Sequence, residues 1–213
     1  MRWAKRHATL IWVVLLVLVL LVCQAASAAP FKVVHIGDSH VAGRTFPDAA
    51  GAALRQLAGA NVSYRHLGKN GATIDYFLDP RVAGRVAAMA PDLLVVSVGT
   101  NESYGRFDPQ VYVGKLEHFV AMYRGCCREI LLTTLPGNYK HGRLNPLNSV
   151  VADTQLWYAK SRGIPVWDVY HAVGPAYWRA NGMMDRQGVH FTGRGYAMQG
   201  RMLGQAIARR WLL

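Results

Sequence analysis

The sequence predicts a three-layer α/β fold, a five-stranded parallel sheet with helices on both faces. Three observations carry that expectation. Short apolar, β-branched runs alternate with segments of helical periodicity along almost the whole chain, the pattern of strand–helix–strand crossovers. The run 93–98, Leu-Leu-Val-Val-Ser-Val, is apolar without alternation, as suits a strand covered on both faces. The 213 residues hold no repeat and no proline- or serine-rich linker, so one domain with a sizeable core accommodates them.

The first strand is expected at 32–36, ending in Gly37-Asp38-Ser39-His40. A helix at 47–57 opens with proline and is rich in alanine, both start signals for a helix. The second strand, 62–67, runs into the loop Gly68-Lys69-Asn70-Gly71-Ala72-Thr73. One helix is expected over 74–89, stopped by Pro91. The third strand, 93–98, ends in Gly99-Thr100-Asn101-Glu102. Asp108-Pro109 opens a helix to 124, with Val113, Leu116, Phe119, Val120 and Tyr123 at helical spacing. A fourth strand covers 130–134 and a polar loop follows, 136–146. A helix at 149–162, a fifth strand at 164–169, a helical segment around 175–179, a loop at 181–190 and a final helix from 193 to 211 complete the chain.

The N-terminal stretch differs in character. Arg2, Lys5 and Arg6 precede the apolar run 10–22, which is too short to span a bilayer comfortably, and Ala26-Ser27-Ala28 follows as a small-x-small cleavage pattern. Residues 1–28 therefore read as a secretory signal peptide and 29–213 as the domain; an uncleaved membrane anchor is the competing reading. Cys23 is discounted as a lipidation site, because bulky Val22 precedes it. The whole chain carries +12; without residues 1–28 it keeps 21 basic and 12 acidic residues, or +9. Export, to the periplasm on this reading, argues against nucleic acid as a partner. The positive charge suits an anionic surface such as a cell-wall polymer or lipid headgroups, and a solvated basic face explains it equally well. Past residue 28 only the adjacent Cys126 and Cys127 remain. They can bridge only through a strained ring, so neither a disulfide framework nor a zinc site is expected.

In an open parallel sheet the C-terminal ends of the strands share one edge, and ligands bind there. Ser39 follows the first strand, Gly71 the second and Asn101 the third, while His190 lies in the loop before the last helix. Taken singly, each is an ordinary turn or capping residue. Together they supply a hydroxyl, a base to deprotonate it and donors for an oxyanion, which is what ester cleavage by a serine needs. The oxyanion donors would be the backbone N–H groups of Ser39 and Gly71 and the side-chain amide of Asn101. Glycine at 71 would let backbone approach a substrate closely.

The set Gly37-Asp38-Ser39, Gly71, Gly99-Thr100-Asn101-Glu102 and Gly188-Val189-His190-Phe191-Thr192-x-x-Gly195-Tyr196 resembles the SGNH/GDSL hydrolase superfamily, in the right order and across almost all of residues 29–213. The resemblance implies a flavodoxin-like fold with strand order 2-1-3-4-5. It implies Ser39 as nucleophile, His190 as base, and Ser39, Gly71 and Asn101 as the oxyanion hole, with Asp38 in support; Gly68 competes with Gly71. It implies neither a cofactor nor a metal. Its wording is most similar to exported bacterial members that remove O-acetyl groups from peptidoglycan or another polysaccharide, and a lysophospholipase or general short-chain esterase is the alternative within the superfamily. One position departs from the pattern. Where the family has an aspartate three residues before the histidine, this chain has Gln187, and the nearest carboxylate is Asp185. Asp185, a backbone carbonyl or Asp168 would then orient His190, with Gln187 as a neutral supporting group.

Two readings from other classes stand beside this one. A polysaccharide-binding protein with little or no turnover would use the same fold. Asp38-x-His40 also has the spacing of a metallophosphoesterase ligand pair, although Glu102 stands where that class needs a histidine after Asn101.

Overall fold

A parallel sheet runs through the middle of the computed structural model, which describes residues 29–213; the signal-peptide reading of residues 1–28 lies outside the described residues. In chain order the elements are β1 (Phe31–Gly37), α1 (Ser39–Ala42), α2 (Thr45–Ala58), β2 (Val62–Gly68), a 3-10 turn (Ile74–Leu78), α3 (Pro80–Ala87), β3 (Leu93–Ser97), a second 3-10 turn (Glu102–Tyr104) and α4 (Pro109–Tyr123). Then follow β4 (Glu129–Thr133), the short strands β5 (Tyr139–Lys140) and β6 (Arg143–Leu144), α5 (Leu147–Ser161), β7 (Val166–Trp167), α6 (Val169–Ala172), α7 (Pro175–Ala180) and α8 (Gly193–Trp211). The sheet order is β2-β1-β3-β4-β7 with every pair parallel, and β5-β6 form a separate hairpin. Counting the five sheet strands alone, this is the expected order 2-1-3-4-5.

β3 shows why the sheet sits between two helix layers. Leu93, Leu94, Val95 and Val96 are all buried, and successive side chains point to opposite faces. Leu94 and Val96 join Val34, Ile36, Leu116 and Phe119 in one core. Leu93 and Val95 join Val33, Leu54, Leu203 and Ile207 in the other. Each such side chain contributes about 1.5–3 kcal/mol on burial. α8 lies close against α2 because Gly200 and Gly204 carry no Cβ; at either position one would come within 2.5 Å of the carbonyl oxygen of Phe46 or Ala50.

Two expected elements come out differently. The single helix over 74–89 is a 3-10 turn followed by α3, broken at Asp79, whose backbone is extended (φ −68°, ψ 123°). Pro80 disfavours helical backbone in the residue before it, and Asp79 turns that into a cap by accepting from the Arg81 N–H at 2.8 Å. The fifth strand, expected over 164–169, pairs only at Val166 and Trp167. Asp168 ends it by capping α6, accepting from the His171 N–H. The polar loop 136–146 also folds back on itself as the β5–β6 hairpin.

Register fixes where the loops emerge. Gly37 pairs with Gly68 on one side and Ser97 on the other, so β1, β2 and β3 end at one level. The chain leaves that edge into Ser39, into the Gly71 loop and into the Asn101 loop.

Candidate active site

Ser39 is placed by a tight exit from β1. A Cβ at Gly37 would lie 2.4 Å from the Ser97 carbonyl oxygen, so only glycine lets the strand end here. Asp38 then caps α1, its carboxylate accepting from the His40 N–H at 3.0 Å while its own N–H donates to Ser97 O. Desolvation pushes the buried Asp38 carboxyl up to about 6, against the pull of hydrogen bonds from His40 and Thr100. Ser39 is the first helical residue and only partly buried, and its Oγ lies 2.9 Å from His190 Nε2.

His190 is held by a compact loop. Met184 and Phe191 form an antiparallel bridge, and the Asp185 N–H donates to His190 O at 2.8 Å. Gly188 turns the chain at φ +75°. Asp185 Oδ1 accepts from the N–H groups of Gly188 at 2.6 Å and Val189 at 3.1 Å. Its other oxygen faces His190 Nδ1 at 3.7 Å, an ion-pair contact longer than a hydrogen bond. Gln187 is exposed on the same loop. Asp168 is engaged elsewhere, by His171 Nδ1 at 2.9 Å and the Thr134 hydroxyl at 3.1 Å.

The donor side is assembled from two loops tied to each other. Asn101 Nδ2 donates to Ala72 O at 2.8 Å, which leaves its second N–H for another acceptor. One residue on, Glu102 accepts from the Ile74 N–H at 2.8 Å. The second Glu102 oxygen is buried with no partner among the described residues, and burial pushes this carboxyl up to about 7. Gly71 is exposed at φ +73° with open space around the position of a Cβ. Gly68 is different: a Cβ there would come within 2.1 Å of the Ala42 backbone nitrogen. Packing against α1 accounts for Gly68, and a left-handed turn in the open accounts for Gly71.

Several contributors escaped the sequence reading. His40 is buried beneath His190 with 5.5 Å between ring centroids, and its Nδ1 pairs with Tyr196 Oη at 3.1 Å. Burial first, and the neighbouring His190 second, push it down to about 3, so it is neutral. A second serine–histidine contact joins Ser97 Oγ to His35 Nε2 at 2.7 Å, but His35 is fully buried, pushed down to about 3, and held on its other nitrogen by Tyr64 Oη at 2.9 Å. That pair is internal to the fold. The loop facing His190 rests on buried amides: Asn138 and Asn145 donate to Ser103, and Asn148 to Asn138 O. Tyr139 N–H donates to Gly188 O at 2.8 Å and so braces the histidine loop. Among the described residues no group of three or more His, Cys, Asp or Glu is arranged to hold a metal ion, and Cys126 and Cys127 are free thiols.

A partly buried serine hydroxyl 2.9 Å from an imidazole nitrogen is the pairing that a serine hydrolase uses. The chain belongs to the GDSL-like lipase/acylhydrolase family, whose model matches residues 35–198. It is an SGNH/GDSL-type carboxylic ester hydrolase. No curated protein matches it in sequence. Solved structures with the same fold include a peptidoglycan O-acetylesterase at 15% identity, covering 84% of this chain and 91% of that one with a TM-score of 0.73. A lipase/acylhydrolase from Enterococcus faecalis is 20% identical, with 84% and 96% covered and a TM-score of 0.72. A catalytic mutant of an acetylxylan esterase from Geobacillus stearothermophilus is 16% identical, with 86% and 94% covered and a TM-score of 0.63.

Proposed function

We propose that the protein, once exported, removes O-acetyl groups from a cell-envelope polysaccharide, with peptidoglycan the first candidate substrate. The observation that carries the chemistry is the 2.9 Å contact between Ser39 Oγ and His190 Nε2. In this reading Ser39 Oγ attacks the ester carbonyl as His190 takes its proton. The carbonyl oxygen becomes an oxyanion and is met by N–H groups of Ser39, Gly71 and Asn101. His190 then returns the proton to the departing sugar oxygen, leaving an acetyl ester on Ser39. Water, deprotonated by His190, attacks that ester; acetate leaves and Ser39 regains its proton. Asp185 holds the loop that carries the imidazole and faces its Nδ1. The choice of an acetylated polysaccharide is supported by likeness in fold to a peptidoglycan O-acetylesterase and an acetylxylan esterase.

Residues 29–213 are to be assayed for acetate release from acetylated peptidoglycan, acetylxylan and acetylated alginate, with a lysophospholipid as the contrasting substrate. Acetate release is expected, falling by about a thousandfold or more in Ser39→Ala and in His190→Ala. Turnover surviving both substitutions removes the mechanism. Preference for the lysophospholipid moves the protein to a lipid substrate with the mechanism intact.

A further inference from the structure

We propose that the edge of the domain opposite the active site is a docking surface for anionic lipid headgroups. Helices that return antiparallel to the strands end at the edge where the strands begin, and the basic residues are gathered there. α2, α3 and α5 each have a basic residue in the last turn, Arg55, Arg85 and Lys160. α4 and α5 are capped by Arg124 and Arg162, and α8 ends on Arg209 and Arg210. Lys32 is the second residue of β1 and Arg128 precedes β4. All but Lys32 are exposed.

Among the described residues Asp92 and Glu129 oppose these nine where the strands begin, and both are half-buried and engaged. Asp92 accepts from the Lys32 N–H and pairs with Arg128 at 3.6 Å; Glu129 accepts from Trp211 Nε1 and pairs with Arg210 at 3.9 Å. The edge thus holds a net seven of the nine positive charges of residues 29–213, or six if Glu117, paired with Arg162, is counted with it. The rest of the domain, active site included, is close to neutral.

Cations at helix C-termini complement the helix dipole, which is the ordinary reason to find them. That need is about half a charge per helix, roughly −2.5 over five helices, and leaves a surplus of about +4. Among the described residues Arg55, Arg85, Arg124, Lys160 and Arg209 have no acidic partner. Arg124, Arg128 and Arg162 open onto one pocket of about 180 Å³ between α4, β4 and α5.

A bilayer is favoured over a soluble polyanion because apolar side chains lie among the charges. Leu213 is 78% exposed and Leu57 44%, and Trp211 and Phe31 are half-buried beside them. Aromatic and apolar tips flanked by basic residues suit a headgroup interface. β1 begins at this same edge, at Phe31. Docked this way, the domain turns Ser39 away from the membrane and towards the polymer outside it.

Residues 29–213 are to be sedimented with phosphatidylcholine vesicles containing 30% phosphatidylglycerol and with vesicles of phosphatidylcholine alone. At about 0.1 M salt the anionic vesicles are expected to bind at least tenfold more tightly, and the difference to vanish at about 0.5 M. Replacing Arg124, Arg128, Arg209 and Arg210 with Gln should abolish binding and leave hydrolysis of soluble 4-nitrophenyl acetate unchanged, which also shows that the variant is folded. A control with Arg65, Arg81, Arg143 and Arg194 replaced by Gln loses the same charge elsewhere and should bind nearly as well. Equal binding to both vesicle types, no binding, or equal loss in the two variants overturns the proposal. Capture of soluble hyaluronate without vesicle binding would reassign the edge to a polysaccharide. None of these results bears on ester hydrolysis.

Discussion

Asp185 and His190 stand face to face across a loop that Asp185 itself closes: one carboxylate oxygen accepts from the N–H groups of Gly188 and Val189, and the other lies 3.7 Å from His190 Nδ1. One side chain therefore closes the loop and faces the imidazole that the loop carries. Asp185→Asn keeps an acceptor for the loop and removes the charge. It is expected to lower kcat by about tenfold to a hundredfold, less than the loss known for a fully buried triad aspartate, because this contact is longer and solvent reaches it. Asp185→Ala should lower Tm as well, since two backbone donors lose their acceptor. Gln187→Ala should leave both within error. If only the Gln187 variant loses turnover, the assignment of Asp185 fails.

Glu102 ties the two donor loops together through its bond from the Ile74 N–H, next to the Asn101–Ala72 bond. Leaving a buried donor without its acceptor costs about 1–3 kcal/mol, enough for a tenfold to hundredfold effect on a site that depends on this geometry. Glu102→Gln keeps the acceptor, so kcat should stay within about threefold of the parent. Glu102→Ala should lower kcat by more than tenfold with little change in KM. A KM rise at constant kcat would show that the loop binds substrate and does not shape the oxyanion site.

The two glycines of the second loop should separate cleanly. Alanine at 68 drives a Cβ into the backbone of Ala42, at 2.1 Å from its nitrogen, and nothing flexible is there to move. A loss of about 3 kcal/mol or more is expected, which is roughly 6–12 °C in Tm. Alanine at 71 meets open space and only the strain of φ +73°, about 1–2 kcal/mol. Gly71→Ala should therefore fold and lose turnover more than stability. Thermal denaturation in parallel with ester hydrolysis reads both, and a Gly71→Ala variant with full activity would show that no substrate comes close to this stretch of backbone.

What sequence made legible here is what periodicity and short-range chemistry encode. The β-branched runs at 33–36 and 93–96 could only be strands, and the ends of strands in a parallel sheet share an edge, so Ser39 and Asn101 converge before any coordinates exist. Pro80 was as visible as Pro91, but a proline tolerated in a first helical turn and one that ends a helix look alike without knowing where the preceding residue points. The buried amides Asn138, Asn145 and Asn148 read as loop polarity, because an asparagine satisfied by neighbouring backbone carries no pattern of its own. Gln187 drew attention by standing where a carboxylate was expected, yet it is exposed, and Asp185 reaches His190 because the turn at Gly188 closes the loop. The gathering of charge at the far edge needs the topology, since Lys32, Arg124 and Arg209 are remote in the chain.

Acid stability should have a distinctive shape, set by four buried groups of opposite sign. His35 and His40 are pushed from 6.5 down to about 3, whereas Asp38 rises from 3.8 to about 6 and Glu102 from 4.5 to about 7. The histidines, neutral when folded, give stability that is present above the unfolded value of 6.5 and lost as pH falls towards about 3. The carboxyls act in reverse, giving stability present below their unfolded values and lost as pH rises through about 6 and about 7. From about pH 7 to 5 the folded chain gains roughly 1.3 protons on carboxyls and the unfolded chain roughly 1.5 on histidines, so the changes nearly cancel. Below about 4.5 the unfolded carboxyls are protonated too, and the histidine deficit remains, worth about one proton or 1.4 kcal/mol per pH unit. Urea midpoints should accordingly be flat between pH 7 and 5 and fall steeply towards pH 3. In Glu102→Gln one balancing carboxyl is gone, and the decline should begin near pH 6.5 with a slope of about one proton. A parent protein that loses stability steadily from pH 6.5 would mean that Asp38 and Glu102 stay ionised in the fold, and the account of their burial would have to be withdrawn.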